Sequence, residues 1–303
     1  MQLSVIICAH NPRPEYLRET LAALAAQTLP KAEWELLLVD NASQEALASR
    51  WDLAWHPHGH HVREEDLGLT PARLRGIREA HGEVLVFVDD DNVLAPDYLQ
   101  QARDMANGWP MLGAWGGRIE GRYETPPLEW TKPYLAMLAI REVPRARWSN
   151  DYDDGEAHPC GAGMVVRRSV ATAYAEKLRA DAVRRGLDRK GKLLISCGDI
   201  DLALTAIDLG LGIGMFERLR LTHLIPAGRL EENYLLNLAE SMAFSAILLH
   251  SFRQRLPARP PLARRIYELG RLPFMDARSR RFEQARRQGA RQAREFLRNQ
   301  PTS

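Results

Sequence analysis

A chain of 303 residues, 45% hydrophobic and 26% charged, has the composition of an ordinary globular protein and can bury one large core or two modest ones. Its 41 basic and 39 acidic residues leave a formal charge of +2, so the global charge says nothing about a nucleic-acid or membrane partner. Cys8, Cys160 and Cys197 are spaced for neither a zinc site nor a disulfide framework, and a reduced, cytoplasmic protein is the simple expectation.

Residues 3–8 form an apolar run without a basic segment before it or a small-residue cleavage site after it, and read as a first strand rather than a leader. After Asn11-Pro12 a helix is predicted over 15–26, with Leu17, Leu21, Leu24 and Ala25 on its apolar side. A strand follows over 34–39, then a polar, helix-like stretch from Gln44 and an extended piece near Val62. A helix over 71–80 has Thr70 as its cap and Pro71 in its first position. The run Glu83-Val84-Leu85-Val86-Phe87-Val88 reads as a strand covered on both faces. Strands alternating with helices predict a doubly wound, mostly parallel α/β sheet with right-handed crossovers and helices on both faces. Ligands of such sheets sit beyond the carboxyl ends of the strands, so Asp40 and Asp89 to Asp91 should face one crevice.

From 113 to 154 the chain is rich in Gly, Pro and Trp and weakly periodic. A short strand is predicted at 164–166, a basic segment at 177–192, and a helix over 198–210 with Asp199 near its start. An extended piece then runs towards His223, and a long helical pattern covers 231–250. Pro257, Pro260 and Pro261 suggest a linker before Arg-rich helical sequence reaching Arg298. No apolar stretch approaches the ~20 residues that span a bilayer.

The most informative feature is Asp89-Asp90-Asp91 at the end of a buried strand. Adjacent carboxylates repel, and a hard divalent cation with oxygen ligands, Mg²⁺ or Mn²⁺, supplies the compensation and can carry phosphate. The competing reading is a solvated turn in which Asp91 or Asn92 caps the next helix. Asp40 can accept a hydrogen bond from a nucleobase or simply serve a turn. Arg73, near a helix start, can pair with a diphosphate or lie in solvent. Asp199 and Asp201, two residues apart, point in different directions: one can act as a general base while the other caps or pairs. His223 stands at a strand end, where a lone His is more often structural. The tract His56, His58, His60 and His61 reads as an irregular loop, with metal binding the minority alternative. The basic C-terminus reads as a solvated helical face or as a contact for anionic lipid.

Taken in order, the chain resembles the inverting glycosyltransferases of family 2. The resemblance rests on Ser4-Val5-Ile6-Ile7-Cys8-Ala9-His10-Asn11, Leu38-Val39-Asp40-Asn41-Ala42-Ser43, Asp66-Leu67-Gly68, Ala72-Arg73-Leu74-Arg75-Gly76-Ile77, Val86-Phe87-Val88-Asp89-Asp90-Asp91, Gly161-Ala162-Gly163 and Gly198-Asp199-Ile200-Asp201. The stretch 221–230 is similar to members that assemble bacterial surface polysaccharides. The resemblance implies a GT-A fold over 1–250, with a nucleotide-binding half (1–110) and an acceptor half (111–250), plus a helical extension over 251–303. It implies Asp199 as the catalytic base and Ala9, Asn11, Asp40, Asp66, Arg73, Asp89 and Asp90 at the nucleotide-sugar. Asp89, Asp91 and His223 would hold Mg²⁺ or Mn²⁺. The donor would be a UDP-, GDP- or dTDP-sugar and the acceptor a glycan, a lipid-linked glycan or a protein, with no nucleic acid involved. The site of action would be the cytoplasm or the inner face of the membrane. Gly198 stands where the family often has Glu, and Asp66 and Leu74 where it often has Asn. The alternatives are a non-catalytic nucleotide-sugar or glycan-binding module and a sugar nucleotidyltransferase. The latter would want a Gly-rich phosphate loop where this chain has Ala9-His10-Asn11-Pro12-Arg13.

Overall fold

The structure, a computed structural model, describes residues 2–186 and 196–299 except 257–260, 262, 264–266, 268 and 269. Strand β1 (Leu3–Ala9) lies parallel between β2 (Trp34–Asn41) and β4 (Val84–Asp89), and β3 (Gly59–Glu64) extends the parallel set beyond β2. The strand period of two divides the side chains between two cores. Val5, Ile7, Leu36, Leu38, Val86 and Val88 join one layer with Leu17, Leu21 and Leu24 of α1 (Pro14–Ala25) and Leu99 and Ala102 of α3 (Tyr98–Gly108). Ile6, Leu37, Val39, Leu85 and Phe87 join the other, with Ile77 of α2 (Leu69–Glu79), Tyr174 of α4 (Arg168–Ala180) and Leu202 of α6 (Gly198–Asp208). A short α5 (Ala182–Arg185) precedes α6. The sheet is therefore covered on both faces, which is why its central strands read as unbroken apolar runs.

Glycine sets how tightly α2 lies on the sheet. A Cβ at Gly76 would come within 2.4 Å of Ile6 Cγ2. This close approach holds the first turns of α2, and Arg73 with them, at the carboxyl end of β1.

Beyond β4 the sheet becomes mixed. Strand β4 pairs antiparallel with β8 (Val165–Arg167), β8 antiparallel with β6 (Leu112–Tyr123), and β6 parallel with β9 (Gly212–Ile225). Strand β9 in turn pairs antiparallel with β5 (Asn92–Leu94) and with β7 (Arg147–Ser149). Among the described residues these nine strands form one sheet.

Several local expectations are corrected. The weakly periodic middle contains β6, twelve residues long, whose alternation is broken by Gly113, Gly116, Gly117 and Gly121. At Gly117 a Cβ would lie 2.0 Å from the Leu219 carbonyl oxygen, so the pattern was lost to a steric need. The stretch from Gln44 is a loop with one 3-10 turn, Leu47–Ser49, because the Asp40 carboxylate accepts the N–H groups of Ser43 and Leu47. Helix α2 begins at Leu69 behind Gly68 (φ 145°), so Thr70 and Pro71 lie inside its first turn. Asp91 and Asn92 cap no helix: they lead into β5, and α3 starts at Tyr98. Residues 187–192 of the basic segment, and Pro257 and Pro260 of the expected linker, lie outside the described residues.

Helix α7 (Glu232–Ser251) and α8 (Ala277–Arg298) pack closely, with Gly289 against the Glu240 carbonyl. Phe282 of α8 is fully buried and stacks on Tyr134 at 3.7 Å between ring centroids. Tyr134 belongs to the 3-10 helix Glu129–Leu138. No helix among the described residues is long and apolar enough to cross a membrane.

Candidate active site

A cleft of about 320 Å³ opens at the carboxyl ends of β1, β2 and β4. The acidic turn forms its floor. Asn92, fully buried, holds that turn: its Oδ1 accepts the Asp89 N–H (3.1 Å) and its Nδ2 donates to Asp91 Oδ1 (3.0 Å). The β5–β9 register sets Asn92 opposite His223, and the Leu224 N–H donates to the Asp91 carbonyl (2.8 Å). His223 Nε2 and Arg229 Nη2 consequently each lie 3.3 Å from Asp91 Oδ2. Burial, reinforced by the charges of Asp91 and Asp89, pushes the Asp90 carboxyl up to about 8.

His223 has a defined tautomer in this network. Its Nδ1 lies 3.0 Å from the Leu138 carbonyl oxygen, which can only accept, so Nδ1 carries the proton. In the neutral ring Nε2 then presents a lone pair, which meets Arg229 Nη1 at 3.1 Å. An imidazole whose Nδ1–H is tied to a carbonyl is oriented as metal-bound histidines are.

The facing wall carries Arg73, Gly161 and Asp199. Asp199 is the second residue of α6, which Cys197 enters with φ 81°. Its Oδ2 accepts the Gly161 N–H (2.7 Å) and its Oδ1 the Ile200 N–H (2.8 Å). A Cβ at Gly161 would fall 2.5 Å from Arg73 Nη2 and 3.3 Å from Asp199 Cβ, so the Arg73 guanidinium and the Asp199 side chain both abut this glycine. Asp201 is fully buried and faces away, bound by Arg184 through Nε (2.6 Å) and Nη2 (2.7 Å) and by Arg253 Nη1 (2.7 Å). Cys160 also lines the cleft, and burial pushes its thiol up to about 11, which keeps it protonated.

The remaining end is built by Ala9, His10, Asn41 and Leu67 to Leu69. Asn41 fastens this loop: its Nδ2 donates to the Asp66 carbonyl (2.7 Å) and its Oδ1 accepts the Gly68 N–H (2.8 Å).

The fold thus brings Ala9, Arg73, Asp89, Asp90, Asp91, Asp199 and His223 to one cleft. Asn11, Asp40 and Asp66 stand behind or beside it. The Asp40 carboxylate takes the Ser43 and Leu47 N–H groups and Arg63 Nη1 (2.7 Å), which outweigh burial and hold it below the usual carboxylate range. Asn11 accepts the Gln44 N–H on Oδ1, and the Asp66 side chain borders a separate groove on the outer side of α2. His56 and His61 line a different depression. Sequence reasoning misses Gly161, the 137–139 turn and Arg229 as cleft residues. Two of them carried a signal: Gly161 through the Gly161-Ala162-Gly163 motif, and Arg229 as a cation six residues beyond His223.

In chemistry the two carboxylates, Asp89 and Asp91, fit a hard divalent ion, and the Nε2 lone pair of His223 adds a softer nitrogen donor beside them. Among the described residues, no group of three or more His, Cys, Asp or Glu side chains is placed so that it could hold a metal ion as it stands.

The fold is of the GT-A type, with the cleft at the carboxyl ends of its parallel strands. The Glycosyl transferase family 2 profile matches residues 4–174, more than half of the chain, and the chain belongs to that family. It is similar to glycosyltransferase AglE of Haloferax volcanii, 31% identical over 124 residues that make up 40% of each protein. It is also similar to the poly(ribitol-phosphate) beta-N-acetylglucosaminyltransferase TarS of Staphylococcus aureus, 28% identical over 105 residues, 34% of this chain and 18% of TarS. The chain thus spans about two fifths or less of the length of these curated relatives. Among solved structures, S. aureus TarS 1-349 superposes with a TM-score of 0.53 at 16% identity, covering 98% of this chain and 91% of that one. The same protein with UDP-GlcNAc gives 0.52 over 82% of this chain and 67% of that one, also at 16% identity.

Proposed function

We propose that this enzyme moves a sugar from a nucleotide-sugar to an acceptor hydroxyl by one inverting displacement, in the synthesis of a bacterial surface glycan. The observation that carries the reading is the meeting in one cleft of Asp199 with the acidic turn, groups 110 residues apart in the chain. The nucleoside lies at the Ala9, His10 and Asn41 end. Arg73 binds the diphosphate, where a guanidinium matches two phosphate oxygens. Asp199 takes the proton of the attacking acceptor hydroxyl on the wall opposite the leaving group. Asp89, Asp91 and His223 would hold Mg²⁺ or Mn²⁺, which supplies positive charge to the departing diphosphate.

The UDP and UDP-GlcNAc complexes of TarS support a nucleotide-sugar donor, here a UDP-, GDP- or dTDP-sugar. For the acceptor we favour a glycan or lipid-linked glycan over a protein. Charge supports work at the cytoplasmic face of a membrane. Residues 251–303 hold 14 arginines against 4 acidic residues, whereas the preceding 250 hold 27 basic and 35 acidic ones. Phe274 and Tyr267 are exposed in the basic part and suit an anionic lipid surface.

The test is slow hydrolysis of nucleotide-sugars without acceptor, followed by release of the nucleoside diphosphate with Mn²⁺, with Mg²⁺ and with EDTA. Turnover of donors of one base, lost in EDTA, is expected. Neither binding nor turnover with any UDP-, GDP- or dTDP-sugar would overturn the reading.

A further inference from the structure

Three carboxylates at one strand end need a cation nearby, and the described residues supply one. Arg229 sits on the 3-10 turn Ala227–Leu230, which directly follows β9 and Pro226. The turn is anchored where it leaves β9. The Arg229 N–H donates to the Pro226 carbonyl (3.0 Å), and the Ala227 N–H donates to Glu124 Oε2 (2.9 Å) at the end of β6. Glu124 Oε1 in turn accepts the Tyr16 hydroxyl (2.6 Å), which ties the turn to α1. From this anchored backbone the guanidinium reaches into the cleft, with its side chain 24% exposed.

Its contacts are unusual in their choice of partners. One end lies 3.3 Å from Asp91 Oδ2 and the other 3.1 Å from the Nε2 lone pair of His223. These two acceptors are the ones a divalent ion would use. An arginine holding both occupies the electrostatic place of that ion. A guanidinium carries five N–H donors in one plane and matches phosphate oxygens two at a time. Arg229 is therefore also built to receive the group that the ion would bring.

We propose that Arg229 is an exchangeable counter-cation. In the unliganded enzyme it neutralises the acidic turn. It yields Asp91 and His223 when a metal–nucleotide complex enters, and turns its guanidinium to the diphosphate. The exchange keeps the cleft near charge balance in both states, so that metal and diphosphate bind well together and the metal binds poorly alone. This inference rests on the functional reading above and adds a residue that reading does not use.

Calorimetry tests it by binding rather than turnover, with Mn²⁺ alone as one probe and UDP, GDP and dTDP in the presence of Mn²⁺ as the others. In Arg229→Ala, Mn²⁺ alone should bind about fivefold or more tightly, because no resident cation has to be displaced. The preferred nucleoside diphosphate should bind about 10- to 100-fold more weakly, the range for losing hydrogen bonds to a charged group. Unchanged diphosphate affinity, or weaker Mn²⁺ binding, overturns the proposal. Should the alanine variant not fold, Arg229→Lys decides, since it keeps the charge but loses the planar fork. It should bind the diphosphate about fivefold or more weakly, and wild-type affinity in that variant also overturns the proposal. If the wild-type enzyme binds none of the nucleoside diphosphates, the functional reading itself falls.

Discussion

The Gly161 N–H lies 2.7 Å from Oδ2 of Asp199, and the Ile200 N–H lies 2.8 Å from Oδ1, so both carboxylate oxygens are aimed by backbone before any substrate arrives. Each oxygen keeps acceptor capacity for an incoming hydroxyl. Asp199→Asn preserves shape while removing basicity. Transfer should fall about 10²- to 10⁴-fold, the usual worth of a positioned general base. Nucleoside diphosphate affinity should stay within about threefold, because Arg73 and the acidic turn are untouched. Steady-state kinetics alongside calorimetry separates the two effects, and a variant that still turns over at the wild-type rate would refute the assignment of the base.

Asp201 answers the question its neighbour raises. The two carboxylates are two residues apart in sequence, but Asp201 is fully buried and engages Arg184 at the end of α5 and Arg253 just beyond α7. Removing one partner leaves uncompensated buried charge, which typically costs about 3–5 kcal/mol. Asp201→Asn should therefore lower the midpoint of chemical unfolding sharply, while kcat per folded molecule stays close to wild type. A variant with full stability and lost activity would reverse the roles assigned to the pair.

Much of this was legible in the sequence where local chemistry acts alone. The buried strands 34–39 and 83–88 announced themselves by apolar runs, and Asp199 by its place at a helix start. What stayed hidden depends on contacts between distant segments. Strand β6 needs Gly117 because the Leu219 carbonyl crosses it, and that need erases the alternation that marks a strand. Arg229 and Leu138 enter the site through the β5–β9 register and a 3-10 helix, neither of which leaves a periodic trace. Asp40 shows the opposite limit: a carboxylate at a strand end is easy to spot, but its commitment to Ser43, Leu47 and Arg63 is set by the folded loop.

His56 gives a pH signature separate from the cleft. It is 3% exposed, packs at 4.1 Å from the Trp34 ring, and accepts the His58 N–H on Nδ1. Burial, followed by the nearby charges of His58, Lys31 and His60, pulls it from 6.5 down to about 4. Between those values the unfolded chain binds a proton that the native state refuses. Stability from this group is thus complete above 6.5 and is lost as pH falls towards about 4. The slope is at most about 1.4 kcal/mol per pH unit for one proton. Urea titrations across the window should show His56→Phe less pH-dependent than wild type by up to that slope. Parallel profiles for the two proteins would sink the assignment.

The C-terminal helix should matter to the cleft although it does not line it. Phe282 stacks on Tyr134 at 3.7 Å and 15° between planes, and Arg278 lies 4.3 Å over the Trp130 ring, so α8 clamps the 3-10 helix Glu129–Leu138 from outside. The last residue of that helix supplies the carbonyl that fixes the His223 tautomer. Truncating a buried aromatic typically costs about 3–5 kcal/mol, here drawn largely from the docking of α8. In Phe282→Ala, hydrogen exchange should rise over 277–298 and also over 129–138, while the parallel half of the sheet keeps its protection. Donor affinity should fall with it, because an imidazole released from Leu138 no longer holds its Nε2 lone pair in the cleft, where Arg229 meets it. Faster exchange confined to α8, with donor binding unchanged, would mean that the clamp carries no constraint to the site.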